Sequence, residues 1–225
     1  MNRPLATVRP SPLTADDLAD LPQRCRSCLF WELGRPRPGG HGPPREDELA
    51  GDPIMQKQAW CATEAMNEAA PGRIMRRDGE FAGYVLFATP GSFQARRPPI
   101  PGASPDALLV ATLWVEPQHR RSGIGRLLLQ AAIKDALRRG VPALEAYGDR
   151  RHRDADCVIP AMFLLHEGFV VHREHPRYPL LRLDVRRTAR WTESLEAAWD
   201  EVIQRLPKGL GSPSPQPAPR PRAGS

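Results

Sequence analysis

The sequence has few cysteines, few lysines and no long apolar run, and each shortage limits the class of protein or the kind of partner that we expect. The four cysteines in 225 residues are too few for a disulfide framework. With no basic-then-apolar leader at the start, we expect a cytoplasmic protein. No apolar run approaches the roughly 20 residues that span a bilayer, so no membrane partner is expected. Nearly all of the 32 basic residues are arginines, because lysine occurs only at Lys57, Lys134 and Lys208. We attribute the net charge of +6 to this arginine-rich composition, and nucleic acid is not expected as a partner.

Local patterns predict short elements in the N-terminal third of the chain. An edge strand is expected at 7–10 and a helix at 15–21, with Thr14 as its cap. Residues 34–45 are rich in proline and glycine and form a predicted loop. Helical spacing follows over 46–69, interrupted near Gly51-Asp52-Pro53. The side chains that this spacing places in the core are Ile54, Trp60 and Met66.

The middle of the chain carries the strongest strand and helix signals. Two alternating runs flank Asp78-Gly79 and predict a β-hairpin. A Pro-rich loop over 89–106, which is either a lid at a binding edge or disordered, leads to an apolar run at 107–115 that predicts a buried strand. An amphipathic helix ending at Gly140 and a strand at 143–147 complete a βαβ unit, so the two strands should be parallel neighbours. The residues expected on the buried face of this helix are Ile124, Leu127, Leu128 and Ala131.

The C-terminal part of the chain is expected to close the same domain. The predicted order is a charged loop at 148–156, a short helix stopped by Gly168, strands at 169–173 and 180–185, and an amphipathic helix at 191–206. The Pro-rich tail at 207–225 has too few apolar residues to fold. We therefore predict a single domain over 1–206, with the loop at 34–45 and the tail as appendages.

Two closely spaced glycines stand between the 107–115 strand and the helix that follows it. Backbone N–H groups at a helix N-terminus have no intrahelical partner and lie at the positive end of the helix dipole, so glycines that let an anion approach make a phosphate site. The segment Arg120-Arg121-Ser122-Gly123-Ile124-Gly125 lacks the Lys-Ser/Thr ending of a nucleoside-triphosphate P-loop. A dinucleotide fingerprint requires glycine or alanine at position 128, where this chain has Leu128.

The same segment resembles the Gln/Arg-x-x-Gly-x-Gly/Ala signature of the GNAT superfamily of N-acetyltransferases. The resemblance includes the turn with Val115 and Pro117 before the signature, the Glu167-Gly168-Phe169 ending of a later helix, and the order of strands from Thr7 to Val185. The segment Cys25-x-x-Cys28-x-Phe30-Trp31-Glu32 is further similar to one in an actinobacterial branch of these proteins. The resemblance implies a mixed α/β (α+β) fold, in which a mostly antiparallel central sheet contains one splayed parallel strand pair and carries helices on both faces.

The resemblance also implies acetyl-CoA as the co-substrate and assigns the residues that bind it. The backbone of residues 113–115 would pair with the pantetheine amides, and the N–H groups of residues 121–126 would hold the pyrophosphate. Glycine at 123 and 125 would leave the volume of the phosphate free, and nearby arginine side chains would add charge for the 3′-phosphate. The acceptor would be a primary amine of a small molecule or of a protein, and the enzyme a monomer or a homodimer. The predicted cofactor-binding residues are Leu113, Trp114, Val115, Arg120, Arg121, Ser122, Gly123, Ile124, Gly125 and Arg126.

Attack of an amine on a thioester needs a neutral nitrogen, an oxyanion stabiliser and a proton for the departing thiolate. A strand N–H around Val115 is expected to stabilise the oxyanion. In many relatives a tyrosine four residues before the helix-ending glycine protonates the thiolate, and here that position is Leu164. Glu145 is our candidate base, because a carboxylate inside a strand is costly unless it is used or paired. The other catalytic candidates are the proton donors Tyr147 and Cys157.

Two further hypotheses stay open at this stage. Leu164 and the absence of acids from the 107–115 strand suit an acyl-CoA-binding sensor or interaction protein that has lost catalysis. The pair Cys25 and Cys28 suits either a zinc element that docks nucleic acid or protein, or two small side chains packed beside Phe30 and Trp31. A closed zinc site needs four ligands and no second close pair follows, so we favour packing and predict no metal.

Overall fold

The computed structural model describes residues 9–35, 51–94, 102–151 and 158–186, and these residues build one mixed β-sheet with helices on both faces. The strands are β1 (Ser11–Pro12), β2 (Gly72–Arg77), β3 (Glu80–Ala88), β4 (Ala107–Val115), β5 (Ala143–Asp149), β6 (Ile159–Pro160), β7 (Val170–Arg173) and β8 (Leu180–Asp184). The helices are α1 (Gln23–Arg26), α2 (Phe30–Leu33), α3 (Pro53–Asn67), α4 (Ile124–Arg138) and α5 (Ala161–His166). Across the sheet the order is β1-β2-β3-β4-β5-β8-β7, and β6 pairs with β5. This is the mixed fold that the sequence resemblance implies.

The hairpin predicted around Asp78-Gly79 is confirmed. Asp78 and Gly79 have positive φ angles of 53° and 87°, which a two-residue type I′ turn requires. On either side of the turn β2 and β3 pair antiparallel, and β1 pairs with the other edge of β2. Turn chemistry and strand alternation agree here, so this half of the sheet is predictable from local sequence.

Strand β4 has the bounds that its apolar run predicts, and it separates two hydrophobic cores. Leu108 and Val110 pack into the core beneath α4, which we call the α4 core. Leu109 and Ala111 pack into the core formed with the N-terminal helices, which we call the N-terminal core. A strand covered on both faces lacks the polar alternation of a half-exposed strand, which explains its continuous apolar run.

A β-bulge interrupts β4 near its middle. Leu86 of β3 pairs with Thr112, but the next residue of β3, Phe87, pairs with Val110, so Ala111 is the extra residue. Before the bulge, the even-numbered residues of β4 pack under α4. After the bulge, the even-numbered residue Trp114 packs against the N-terminal core instead. The bulge therefore re-aims the C-terminal end of β4, as bulges commonly do beside functional sites.

Strands β4 and β5 are parallel neighbours, as the βαβ pattern predicts. They pair over only three rungs, the last of which joins Leu109 to Glu145. Beyond that rung β4 pairs with β3, while β5 pairs with β8 and finally with β6. The parallel pair therefore splays at its C-terminal end, as the sequence resemblance implies.

Helix α4 is confirmed, but the predicted choice of its buried face was partly wrong. Leu127 is 39% exposed and Ala131 is half-buried. The buried residues form two neighbouring rows with i, i+4 spacing. Leu129, and not Leu127, faces the sheet. Since both residues are leucine, hydrophobic spacing cannot choose between them. The buried apolar side chains of the helix are Ile124, Leu128, Leu129, Ala132, Ile133 and Ala136.

The N-terminal third departs from prediction in three places. The edge strand lies at Ser11–Pro12 instead of 7–10, of which residues 7 and 8 lie outside the described residues. Met66 is 87% exposed because the last turn of α3 extends beyond the N-terminal core, whereas Trp60 is buried as predicted and Ile54 is half-buried. The helix predicted after Thr14 is a 3-10 turn at Asp16–Asp20.

The closing elements were predicted within one or two residues. Helix α5 ends before Gly168, whose φ of 91° suits glycine, and β7 and β8 pair antiparallel. The predicted helix at 191–206, the tail at 207–225 and most of the loop at 34–45 lie outside the described residues.

Gly148→Ala is expected to destabilise the protein, because an added Cβ has no room. At this position of β5 it would lie 2.7 Å from Cδ1 of Leu181 and 2.8 Å from Cα of Ala161. Overpacking of this kind costs about 1–3 kcal/mol, which chemical denaturation would measure as a lower free energy of unfolding. Gly91→Ala is the matched control, since a Cβ there meets nothing within 4 Å. Equal losses in the two variants would contradict the prediction.

Candidate functional site

The glycine-containing loop joins the C-terminal end of β4 to α4. After a 3-10 turn at Pro117–His119, Arg121 and Gly123 adopt left-handed φ angles of 62° and 86°, and Gly123 is the N-cap of α4. Side chains disfavour that backbone conformation. The φ angle, and not crowding, is therefore what requires glycine at Gly123, since an added Cβ would meet nothing within 4 Å.

Gly125 allows a close approach between three elements. A Cβ there would lie 3.5 Å from the ring of Phe163 in α5 and 3.6 Å from Cδ2 of Leu113 in β4, which is ordinary contact. A methyl group fits at this position, but a larger side chain meets these two neighbours. The first turn of α4 is thus held against both β4 and α5.

The first turn of α4 offers free backbone donors. Among the described residues no side chain caps the helix, and its first turn contains no acidic residue. The N–H of Leu127 bonds to the carbonyl of Gly123 at 3.1 Å, so the N–H groups of residues 124–126 precede the first intrahelical bond. They lie at the positive end of the helix dipole, which is the arrangement that binds phosphate.

The arginine side chains that flank the loop contact the protein itself. Nε and Nη2 of Arg126 donate to the Glu167 carboxylate at 2.9 and 3.0 Å. Nε of Arg120 donates to the carbonyl of Val115 at 3.4 Å, and its guanidinium lies 5.4 Å from the ring centroid of Trp114. Because Glu167 offsets the charge of Arg126, the backbone of the loop is the better anion ligand. A contact between these side chains and a 3′-phosphate stays a prediction.

The last three residues of β4 border the gap between the splayed strands. Leu113, Trp114 and Val115 are half-buried and pair on one side with residues of β3. Their positions lie beyond the last rung shared with β5, so no pairing with β5 occupies their other edge. This edge and the N-terminus of α4 meet at the same end of β4.

Glu145 is fully buried, and both of its carboxylate oxygens have partners. Oε2 accepts the backbone N–H of Ser104 at 2.7 Å, and Oε1 accepts Nη1 of Arg182 at 2.8 Å. Nε2 of His172 lies 3.7 Å from Oε1. Arg182 also donates to Asp106 at 2.7 Å. These contacts account for the burial of the carboxylate, and the role of Glu145 as a base stays a prediction.

Tyr147 lies two residues further along β5, on the same face as Glu145. Its ring stacks on Trp31, with centroids 5.8 Å apart and planes 14° from parallel. Burial, together with the charge of Glu145, raises the pKa of Tyr147 to about 12, so the phenol keeps its proton at neutral pH. Leu164 is fully buried, and Cys157 lies outside the described residues.

The Cys25 and Cys28 pair lies at the N-terminal core, as the packing hypothesis expects. Both are free thiols, and so is Cys61 in α3. Burial raises the pKa of the Cys25 thiol and raises that of Cys61 to about 12, which opposes the thiolate form that binds metal. In the part of the chain that the structure describes, no group of three or more His, Cys, Asp or Glu side chains is placed to hold a metal ion.

A buried ion pair that the sequence did not predict fixes α2 against α3. Nζ of Lys57 contacts the carboxylate of Glu32 and donates to the carbonyl of Cys28 at 2.7 Å. The two charged side chains are only 4% and 2% exposed. A lysine in an arginine-rich chain was a signal that this position is special, but nothing local in the sequence identifies its partner in another helix.

Comparison with known proteins identifies the family to which this chain belongs. A family model described as the acetyltransferase (GNAT) family matches residues 27–155, which is more than half of the chain. The chain belongs to this family. The matched residues contain β4, the glycine-containing loop, α4 and β5, so the GNAT signature lies where the structure places the splay and the uncapped helix.

Solved structures show the same fold. The PaiA N-acetyltransferase of Thermoplasma acidophilum, in complex with coenzyme A, superposes with a TM-score of 0.52 at 14% identity, over 79% of this chain and 99% of its own. YncA of Salmonella typhimurium, determined with its cofactor acetyl-CoA, gives 0.50 at 19% identity, over 80% and 95%. No curated protein sequence matches the chain significantly. At these identities the structures establish the GNAT fold alone.

Family membership confirms the expectation of an acyltransferase. The similarity to an actinobacterial branch and the roles of single residues stay predictions. Within the described residues, none of the helices of this GNAT protein has the length and apolar character that a membrane crossing demands.

Lys57→Met is expected to destabilise the protein by about 3–5 kcal/mol, because it leaves the buried carboxylate of Glu32 without its cation. The double variant Lys57→Met with Glu32→Leu should recover most of this loss, since no buried charge is left. Chemical denaturation of the two single variants and the double variant completes the cycle. Strictly additive losses would show that the two side chains do not interact.

Proposed function

We propose that this acetyltransferase binds acetyl-CoA in the gap between β4 and β5 and transfers the acetyl group to a primary amine of a small molecule or of a protein. One observation carries the proposal: three features meet at the C-terminal half of β4. The pairing with β5 stops, the strand bulges, and a helix N-terminus without a side-chain cap follows. Each feature exposes backbone groups that a ligand can bind.

The cofactor end of the proposed site is made of backbone. The pyrophosphate is assigned to the N–H groups of residues 121–126, and the pantetheine amides to the strand edge at residues 113–115. The described geometry supports both assignments, because the ladder with β5 ends before residues 113–115 and no side chain caps the first turn of α4. Coenzyme A and acetyl-CoA in two structures of the same fold support the choice of ligand.

Gly125→Glu is expected to abolish acetyl-CoA binding. A Cβ at this position already contacts Phe163 and Leu113, so the longer side chain must turn toward the N-terminus of α4, where its carboxylate repels the pyrophosphate. Isothermal titration calorimetry measures the loss, and a thermal melt shows whether the variant still folds. Lys134→Gln is the matched control, because it changes the net charge equally at an exposed position of the same helix.

Unchanged affinity in a folded Gly125→Glu variant would overturn the assignment of the pyrophosphate site. The same proteins also test the alternative of a sensor without catalysis. Acetyl transfer by the wild type to any amine of a broad panel, absent from the variant, excludes that alternative.

The transfer step requires a proton for the departing thiolate, and Tyr147 is our proposed donor. Its phenol is protonated, and it lies on the strand that borders the gap, two positions beyond the last rung shared with β4. Glu145 is our proposed base. Because its carboxylate already accepts a hydrogen bond from Arg182, an acceptor that needs little help from a base is favoured. An α-amine, with a pKa of about 7.7–8.0, needs less help than a lysine side chain. A backbone N–H near Val115 would meet the oxyanion.

Tyr147→Phe is expected to lower kcat by about 10²-fold, the usual size of a lost general acid. Acetyl-CoA affinity and melting temperature should change little, because phenylalanine keeps the ring stacked on Trp31. A wild-type kcat in this variant would remove Tyr147 from the mechanism. Glu145→Gln is the companion variant: a lower kcat at unchanged thermal stability supports a base, whereas lower stability with kcat retained assigns Glu145 to holding Arg182.

A further inference from the structure

Arg24 of α1 presents hydrogen-bond donors that the described part of the fold does not use. The residue is exposed, and its guanidinium carbon lies 4.1 Å from the ring centroid of Trp114 in β4. Within the described residues no carboxylate pairs with Arg24, and no acceptor receives its N–H groups. A guanidinium carries five N–H donors in one plane, and contact with an aromatic face uses its charge and none of these donors. The ring therefore holds the cation in place and leaves its donors available.

Two neighbouring arginines differ from Arg24 in this respect. Nη2 of Arg26, in the same helix, donates to the carbonyl of Leu21 at 3.1 Å. Nε of Arg120, whose guanidinium lies near the same ring, donates to the carbonyl of Val115 at 3.4 Å. Both of these side chains bind the backbone of the protein, so Arg24 is the better candidate to bind a ligand.

The segment that carries Arg24 contacts both strands that border the gap. Arg24 lies against Trp114 of β4, and Trp31 of α2 stacks on Tyr147 of β5. Both strand residues lie beyond the last rung that β4 and β5 share. The two tryptophan rings pack with the N-terminal core, on the face of the sheet opposite α4. The chain from α1 to α2 therefore passes over the gap on this face, and Arg24 lies at the β4 rim of the gap, by which we mean the surface around Trp114.

This rim has a surplus of positive charge. The guanidinium carbon of Arg120 lies 5.4 Å from the ring centroid of Trp114, in addition to that of Arg24. A carboxylate balances part of this charge, since Oε1 of Glu116 accepts the indole N–H of Trp114 at 3.2 Å. Two cations and one anion around the same ring attract a negatively charged group and repel a positively charged one. A ligand that reaches the rim with a negative charge is therefore favoured.

We propose that Arg24 binds a carboxylate of the acceptor at the β4 rim while the amine of the same molecule reaches the thioester in the gap. The inference rests on the proposed function, in which acetyl-CoA occupies the gap. The planar fork of a guanidinium matches the two oxygens of a carboxylate. The pyrophosphate is assigned to the N-terminus of α4, on the other face of the sheet, so that assignment does not require Arg24. The acceptor class is thus an amine that also carries a carboxylate.

The first test compares amines that differ only in the carboxylate. Glycine, 4-aminobutyrate and 6-aminohexanoate are each paired with the corresponding amide, and acetyl transfer from acetyl-CoA is measured with the full-length protein. The carboxylate form is expected to have the higher kcat/KM in at least one pair, at the chain length that spans the distance from the rim to the thioester. If no carboxylate-bearing amine is acetylated faster than its amide, the proposal is wrong.

Variants then assign this preference to one side chain. Arg24→Gln is expected to lower kcat/KM for the preferred carboxylate-bearing amine about 10- to 100-fold, the value of a hydrogen bond to a charged group, and to leave that of the matching amide unchanged. Arg24→Lys should recover part of the loss, because lysine keeps the charge but not the planar fork. Lys134→Gln is the matched control, since it removes one positive charge at an exposed position of α4. Equal losses for the carboxylate and the amide would assign Arg24 to holding Trp114 and overturn the proposal.

Calorimetry separates this proposal from the cofactor site. Arg24→Gln should bind coenzyme A and 3′-dephospho-coenzyme A with the affinities of the wild type. A loss confined to coenzyme A would show that Arg24 binds the 3′-phosphate, and it would overturn the assignment to the acceptor. A wild type that binds no acetyl-CoA contradicts the proposed function itself, whereas normal binding without a carboxylate preference contradicts only the role of Arg24.

Discussion

The hydrogen-bonded ladder between β4 and β5 ends after the rung of Leu109 and Glu145, and the whole site depends on that ending. Continued pairing would close the gap and occupy the strand edge at residues 113–115. Unpaired backbone groups inside a protein are costly, so each strand must be held by its other neighbour. β4 stays paired with β3 to its last residue, and β5 is paired with β8 from Ala143 to Tyr147. The sheet can therefore open locally without losing either strand.

Charged groups reinforce the point where the ladder ends. Glu145 occupies the last rung, and its ion pair with Arg182 joins β5 to β8 where β4 leaves. The guanidinium of Arg182 also donates to Asp106, and the carboxylate of Glu145 also accepts the N–H of Ser104. The segment that leads into β4 is therefore bound to this ion pair. A buried ion pair adds little net stability, but breaking one is costly. Here it joins two residues that lie directly opposite each other in β5 and β8.

What the sequence predicts correctly in this protein is encoded within a few neighbouring residues. Asp78-Gly79 specifies its turn, the apolar run at 107–115 specifies a strand covered on both faces, and Gly123 specifies the start of α4. The error in the buried face of α4 arises because two local solutions are equally good. Leu127 and Leu129 offer the same hydrophobicity to the sheet, and only the packing of α4 decides between them.

The contacts that sequence reasoning missed join residues far apart in the chain. Lys57 with Glu32, Arg126 with Glu167 and the stack of Trp31 on Tyr147 each link two elements that come together only in the folded protein. Each partner taken alone has an ordinary explanation as a surface charge or a core aromatic. No periodicity or spacing connects them, so they can be read only from the structure.

This difference explains why the sequence identifies the cofactor end of the proposed site but not its acceptor end. The cofactor end is assigned to backbone groups, whose requirements appear as glycines at fixed spacing next to a strand, and a short signature captures them. The side chains proposed for the transfer step lie in β5, and the groups that surround them come from distant parts of the chain, such as Trp31 of α2 and Arg182 of β8. A family signature therefore transfers the cofactor between relatives but not the acceptor. The chemistry beyond the thioester must be argued from side chains such as Tyr147, whose stack on Trp31 is a property of this fold and of no single stretch of its sequence.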